Sequence, residues 1–446
     1  MNENFSIIWG TRQIRNPQLS LYVTSAVKQL KGMGIKAGDR IATCDENTVE
    51  HVVLLLALWQ IKAVASPISP RWPEKAITSY VSKINARHLF RSAEIKRIIC
   101  FDARQQLEAE KYKDLELEQE LTIIATSGSS GESKAAVHTW GNHFYSAQGS
   151  HEIIPLTSAD RWLLFLPLYH VSGIAITVRC LLAGAGLVIA ADDNVMAAIQ
   201  RGKVTHVSMV STQLQRFLDD EKNWTVLRSL KCILLGGSAI PQSLIDRAVK
   251  VGLNIYLSYG LTEMSSQVAT GRVAADGHSS IKVLPYRQIS ISAEGEILVK
   301  GEVLFKGYVA GAKLQLPLNK DFWFPTGDMG QLNQEGGLTV TGRRDNMFIS
   351  GGENIHPEEI EKTLLSIKGI EQAIIVPQED KEFGQRPIAF IKFTTEPIDE
   401  ASLIHSLQAV LPRFKIPVAF LPWPQHLMAQ GLKISRKEFL KDLFRG

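Results

Sequence analysis

One change of pattern constrains this chain more than any other feature. Up to about residue 270, stretches with apolar residues at helical spacing alternate with short apolar runs bounded by Gly, Pro or Asp. That alternation predicts a parallel sheet covered by helices. Residues 20–34 read as a helix ending in Gly32 and Gly34, and 38–43 as a turn into a strand. Thr48 to Ile61 reads as a helix capped by Thr48, and Ala63 to Ile68 as a strand stopped by Pro67 and Pro70. From about 280 the helical stretches cease. Gly295-Glu296-Ile297-Leu298-Val299-Lys300-Gly301 and Gly337-Leu338-Thr339-Val340-Thr341-Gly342 are glycine-bounded strands of a β-rich subdomain. After Arg343-Arg344-Asp345 a compact α+β unit is expected, with helices at 357–368 and 399–411 and strands at 371–377 and 387–394. The domain boundary falls near 343–347.

With 446 residues the chain exceeds one ordinary core, so two or three domains are expected. Lys and Arg number 49 against 45 Asp and Glu, a net +4 that is too small and too evenly spread to argue for nucleic acid or membrane surfaces. Cys44, Cys100, Cys180 and Cys232 are far apart, which disfavours a disulfide scaffold or zinc ribbon and suits a reducing cytoplasm. Met1 to Gly10 lacks the features of a signal peptide. Val171 to Ala191 is apolar enough to test as a membrane span. Arg179 near its middle rejects it, since an arginine at mid-bilayer costs at least ~2.5 kcal/mol. The ten charged residues between 102 and 120 read as a solvated surface segment.

The strongest local signal for chemistry is Thr126-Ser127-Gly128-Ser129-Ser130-Gly131-Glu132-Ser133-Lys134, directly after the apolar run Leu121–Ala125. Small residues let backbone N–H groups close around phosphate oxygens, hydroxyls add donors, and the lysine adds charge. The spacing is G-x-x-G-x-x-K, which is not that of a Walker loop. By itself such a turn is more often only a loop. Six more motifs follow it: Leu166-Pro167-Leu168-Tyr169-His170-Val171-Ser172-Gly173; Leu234-Leu235-Gly236-Gly237-Ser238-Ala239-Ile240-Pro241; Tyr259-Gly260-Leu261-Thr262-Glu263; Pro325-Thr326-Gly327-Asp328; Gly342-Arg343-Arg344-Asp345 with Gly351-Gly352-Glu353-Asn354-Ile355; and Gly431-Leu432-Lys433-Ile434-Ser435-Arg436.

In this order and spacing they resemble the motif series of the adenylate-forming acyl-CoA synthetase superfamily, from about residue 20 to the C-terminus. Ala135-Ala136-Val137-His138-Thr139, Ser146-Ala147-Gln148-Gly149, Thr212-Gln213-Leu214, Pro357-Glu358-Glu359 and Asp380-Lys381-Glu382-Phe383-Gly384 point further. They resemble a branch of menaquinone-synthesis CoA ligases whose acid is a benzoate with a succinyl side chain. The resemblance implies an α/β adenylation domain over 1–342, a hinge at 343–346 centred on Asp345, and a small mobile α+β lid over 347–446.

It also implies an AMP-forming acid–thiol ligase using ATP, Mg²⁺ and CoA. Lys433 would bridge the α-phosphate and the acid, Thr262 would bond the α-phosphate, and Glu263 would hold the metal. Thr126, Ser127, Gly128, Ser129, Ser130, Gly131 and Lys134 would cradle phosphates. Gly236, Gly237, Ser238, Tyr259 and Gly260 would receive the purine, with Tyr259 stacked on it, and Asp328 and Arg343 would bind the ribose. Gly351 and Gly352 would meet CoA, Gly260 would also touch the acid, and His170 would gate the acyl pocket. Leu432, Ser130 and Ser133 stand where the superfamily usually has Gly, Thr and Pro.

Arg179 is telling from physics alone. No acidic residue lies between Val171 and Ala191, so a buried guanidinium there needs a carboxylate from elsewhere or an exit to water. The functional reading is that Arg179 binds the ring carboxylate while the succinyl carboxylate is activated; the other is that it snorkels to the surface. Three rivals stay open: another acyl- or aryl-CoA ligase, a stand-alone protein loading a carrier thiol, and a catalytically dead nucleotide-binding scaffold. Partners are expected to be small molecules, without nucleic acid or a membrane span, and a homo-oligomer is left open.

Overall fold

Three sheets account for the strands. The computed structural model describes residues 2–99, 115–126, 133–192, 194–237, 240–394, 396–427 and 436–443. A seven-stranded sheet runs in the order Lys313–Gln315, Gly307–Ala310, Lys134–Thr139, Glu120–Thr126, Val64–Ile68, Arg40–Cys44, His88–Arg91. A thirteen-stranded sheet contains the parallel neighbours Arg161–Leu163, His206–Met209, Cys232–Leu235 and Ile255–Leu261. The third, five-stranded sheet uses only strands from 348 onward.

Helices pack between and over these sheets as the apolar spacing requires. Thr48 caps Val49–Gln60, its hydroxyl accepting from the His51 N–H at 3.1 Å. Every residue of that helix except Glu50 is buried, as expected of a helix apolar all round and covered on all sides. With Gln18–Gly32 and Val171–Ala183 it fills one continuous core. The candidate span at 171–191 is instead this helix, a left-handed Gly184, and the buried strand Gly186–Ile189. Among the described residues no helix is long and apolar enough to cross a membrane.

One expectation needs correcting. Pro67 does not stop its strand, which runs through it with Thr43 as its partner. On the other edge pairing reaches only Ala65 with Thr122, so the missing N–H at Pro67 breaks no ladder. The β-rich region expected after 280 is present, and most of its strands continue the sheet that carries the parallel strands. Ile255–Leu261 pairs parallel with Cys232–Leu235 on one edge and antiparallel with Ser266–Arg272 on the other. The antiparallel strands to Gly337–Arg343 thus extend the same sheet, while Gly307–Ala310 joins the other one. The charged segment at 102–120 and Cys100 lie mostly or wholly outside the described residues.

Candidate active site

The carboxyl ends of three adjacent parallel strands open into a cleft of about 1780 Å³, where open α/β sheets usually bind ligands. Ser208 and Met209 end one strand, Gly236 and Gly237 follow the next, and Tyr259 and Gly260 lie on the third. Thr126 and Lys134 enter from the seven-stranded sheet. They are paired residues at the two ends of a hairpin, so the Ser/Gly loop joins two antiparallel strands. Ser127, Gly128, Ser129, Ser130, Gly131, Ser238 and Lys433 lie outside the described residues.

The expected ribose end is assembled. Asp328 accepts from the Tyr259 hydroxyl at 2.7 Å and from Arg343 Nη1 at 2.9 Å. Burial, then the negative charge of Asp328, pushes the Tyr259 phenol well up, so it stays a donor. Gly260 sits at a bulge, and any Cβ there would collide with the Ser266 carbonyl. A Cβ on Gly236 would lie 2.7 Å from Ser258 Oγ. Its bareness therefore serves a neighbouring side chain, whereas a Cβ on Gly237, at φ +85°, would meet only Val210 Cγ1, at 3.9 Å.

At the phosphate end, Thr262 and Glu263 share a short 3₁₀ turn. Glu263 Oε1 accepts from the Tyr308 hydroxyl at 2.6 Å, and the Lys134 ammonium lies 4.9 Å from the centre of the same ring. Tyr308 thus links two anticipated phosphate-site residues. The sequence reading missed it, although the Gly307-Tyr308 pair was there to see. Glu296 was missed too. It accepts from the Gly327 N–H at 2.8 Å and from Arg344 Nη1 at 2.6 Å, holding the Thr-Gly-Asp turn in place.

At the acyl end Arg179 is 2% exposed, which rules out snorkelling. No carboxylate among the described residues pairs with it. Nη2 donates to Gln267 Oε1 at 2.5 Å, the Trp162 ring lies 5.4 Å away, and Nε is buried without a partner. Gln267 in turn donates to Thr270 Oγ1 at 2.7 Å, so its oxygen is aimed at the arginine. Burial alone pushes the guanidinium pKa down to about 10, and it still carries its charge at neutral pH. Arg287, also buried and without a paired acid among the described residues, is pushed down to about 9 by burial and then by the charge of Arg179. Gln267 and Arg287 carried no sequence signal, because their meaning depends on what packs beside them. His170 is exposed at the cleft and occupies the N-cap position of the helix Val171–Ala183.

Asp345 also lines the cleft, in the turn Arg344–Asn346. Gly351 and Gly352 do not. They form the two-residue turn of the hairpin 348–355, with φ +57° and +86°, values that favour glycine at both positions.

A family model described as "AMP-binding enzyme" matches residues 6–309. The 2-succinylbenzoate–CoA ligase of Salmonella typhimurium is 37% identical over 410 residues, 91% of this chain and 87% of that protein. That of Haemophilus influenzae is 36% identical over 426 residues, covering 94% and 91%. Among solved structures, o-succinylbenzoate CoA synthetase (MenE) from Bacillus subtilis in complex with the acyl-adenylate intermediate OSB-AMP is 27% identical, with a TM-score of 0.82 over 96% of both chains. The same enzyme in complex with ATP and magnesium ion is 28% identical, with a TM-score of 0.81 over 94% of this chain and 92% of that one. The chain belongs to the AMP-binding enzyme family, among its 2-succinylbenzoate–CoA ligases.

Proposed function

We propose that this cleft joins 2-succinylbenzoate to CoA in two steps driven by ATP. A carboxylate is a poor electrophile because attack must expel oxide. In the first step the succinyl carboxylate oxygen attacks the α-phosphorus, pyrophosphate leaves, and an acyl-adenylate forms. In the second the CoA thiolate attacks the acyl carbonyl and AMP leaves. Negative charge spreads over the phosphoryl oxygens in the first step, so catalysis is positioning and charge stabilisation.

The residues divide along the cleft. Lys134 and the Ser/Gly loop take the terminal phosphates, Thr262 bonds the α-phosphate, and Asp328 with Arg343 binds the ribose. Tyr259, whose ring is pinned through its hydroxyl, covers the purine between strand and glycine backbone. Lys433 brings its charge to the α-phosphate and the acid. Glu263 fits Mg²⁺: it lines the cleft, and Oε2 has no protein partner among the described residues. One carboxylate plus nucleotide phosphates is an ordinary set for this ion, which would draw charge off the phosphates. His170 gates the passage between acid and thiol, and the Gly351–Gly352 turn meets CoA once the C-terminal unit turns about Asp345. ATP and CoA as co-substrates, with Cys44, Cys180 and Cys232 all free and buried, suit the cytoplasm.

The observation that carries the choice of acid is Arg179, a buried charge whose partner is a neutral amide. A ring carboxylate supplies the missing anion; a fatty acid or plain benzoate does not. The test is AMP release with a panel of acids, each with and without CoA. Turnover should be confined to 2-succinylbenzoate and close dianionic analogues, and should need CoA to run past one equivalent. Equal turnover on benzoate would discard the choice of acid, and no AMP with any acid would leave only the nucleotide-binding scaffold.

A further inference from the structure

The turn carrying Thr262 and Glu263 is not self-supporting. Ser265 and Ser266, just after it, have φ +52° and +104°, a backbone region that non-glycine residues hold only when their surroundings enforce it. Three hydrogen bonds from outside the turn do so. His138 Nε2 donates to the Thr262 carbonyl at 2.7 Å, the Phe305 N–H to the Glu263 carbonyl at 2.8 Å, and Ser146 Oγ to the Ser265 carbonyl at 2.7 Å. A carbonyl only accepts, so the His138 ring carries its proton on Nε2. The ring is fully buried, 5.1 Å from that of His143, whose Nε2 is 2.8 Å from the Thr122 hydroxyl. His138 lies on the strand Lys134–Thr139, whose first residue faces the cleft. One side-chain hydrogen bond therefore ties the arm that ends in Lys134 to the turn that presents Thr262 and Glu263.

We infer that His138 is a positioning residue for adenylation, holding the Thr262–Glu263 turn in register with the lysine-bearing arm of the phosphate hairpin. The inference rests on the reading of Thr262 and Glu263 as phosphate and metal residues. It predicts a loss confined to the nucleotide half of the reaction.

The test compares His138→Phe, which keeps a ring and loses the donor, with His138→Gln, whose amide nitrogen can occupy the place of Nε2. Glu263→Gln is carried alongside. Calorimetry gives the Kd for MgATP, acid-dependent pyrophosphate exchange gives KM and kcat for adenylation, and supplied acyl-adenylate reports the thioester step. His138→Phe should weaken MgATP binding and adenylation about tenfold, with thioester formation and KM for the acid within twofold of the parent. His138→Gln should recover most of that loss. If the two variants lose equally, or His138→Phe slows both half-reactions alike, His138 is only a packing residue. If His138→Phe is unchanged while Glu263→Gln shifts the MgATP dependence, the inference fails alone. If Glu263→Gln leaves the MgATP dependence untouched, the reading of the turn fails and the inference with it.

Discussion

A guanidinium kept dry beside an amide costs free energy in the empty protein and repays it only with an anion. Arg179→Ala should therefore lose about 2–5 kcal/mol of transition-state binding with 2-succinylbenzoate and far less with an analogue lacking the ring carboxylate. An equal loss in kcat/KM for both acids would make Arg179 structural. Gln267→Glu is the complementary change. It supplies a carboxylate to Arg179 from within the protein, so the preference for the diacid should collapse while the monoacid reacts as before or better. Glu263→Gln should weaken adenylation chiefly through the metal, with part of the rate recovered at high Mg²⁺. Full activity at low Mg²⁺ would remove Glu263 from that role. Arg179 was legible in the sequence as a lone charge in an apolar run. Gln267 was not, since a glutamine acquires this meaning only from the arginine folded against it.

At the scale of elements, the C-terminal unit meets the cleft through the helix Pro357–Leu365, whose Glu358 and Glu359 line it. Glu358 accepts from Asn346 Nδ2, next to the expected hinge, at 2.6 Å. Arg436 pairs with Glu358 at 2.9 Å and with Glu361 at 2.6 Å. On the proposed reading, adenylation and thiol attack need different groups at one face, so we propose that this unit turns between steps. Lys433→Ala should abolish adenylate formation yet still convert supplied acyl-adenylate and CoA to thioester. Asp345→Pro, which fixes φ near −65° at the hinge, should make adenylate and release thioester slowly. Rapid-quench measurement of each half-reaction decides; equal slowing of both by each variant would rule out a rotating unit.

For the molecule as a whole, four buried histidines and the half-buried His151 set the response to acid. Burial is the largest cause lowering the pKa of His51, His138, His143, His151 and His206, with His138, His151 and His206 brought down to about 4. Their unfolded value is near 6.5, so the unfolded chain binds more protons below that pH, and stability falls as pH falls. One histidine such as His138 contributes on the order of 3 kcal/mol, intact above pH 6.5 and lost towards pH 4. Glu361 works the other way: burial raises it to about 7, and it gains protons in the folded state between about pH 7 and 4.5. With five groups against one, the urea midpoint should drop steadily from pH 7 to 5. A flat or rising midpoint would mean that these rings are hydrated in solution.

Much of this molecule was determined by the sequence alone, because the relevant physics is local. Alternating apolar runs specify helix-covered strands, Thr48 specifies a cap, and paired glycines at 351 and 352 specify a hairpin turn. The motif series pointed to the family for the same reason: each short motif is a local pattern that can be read without its neighbours in space. The tertiary structure decided what depends on neighbours distant in the chain. It let the strand pass through Pro67 because no partner needed its N–H, and it merged the later strands into the parallel sheet at Ile255–Leu261. It brought Tyr308 to Glu263, His138 to Thr262 and Gln267 to Arg179. Each of those pairs is a single hydrogen bond between residues 45 to 124 positions apart, and no spacing rule along a chain encodes which distant donor will find which acceptor.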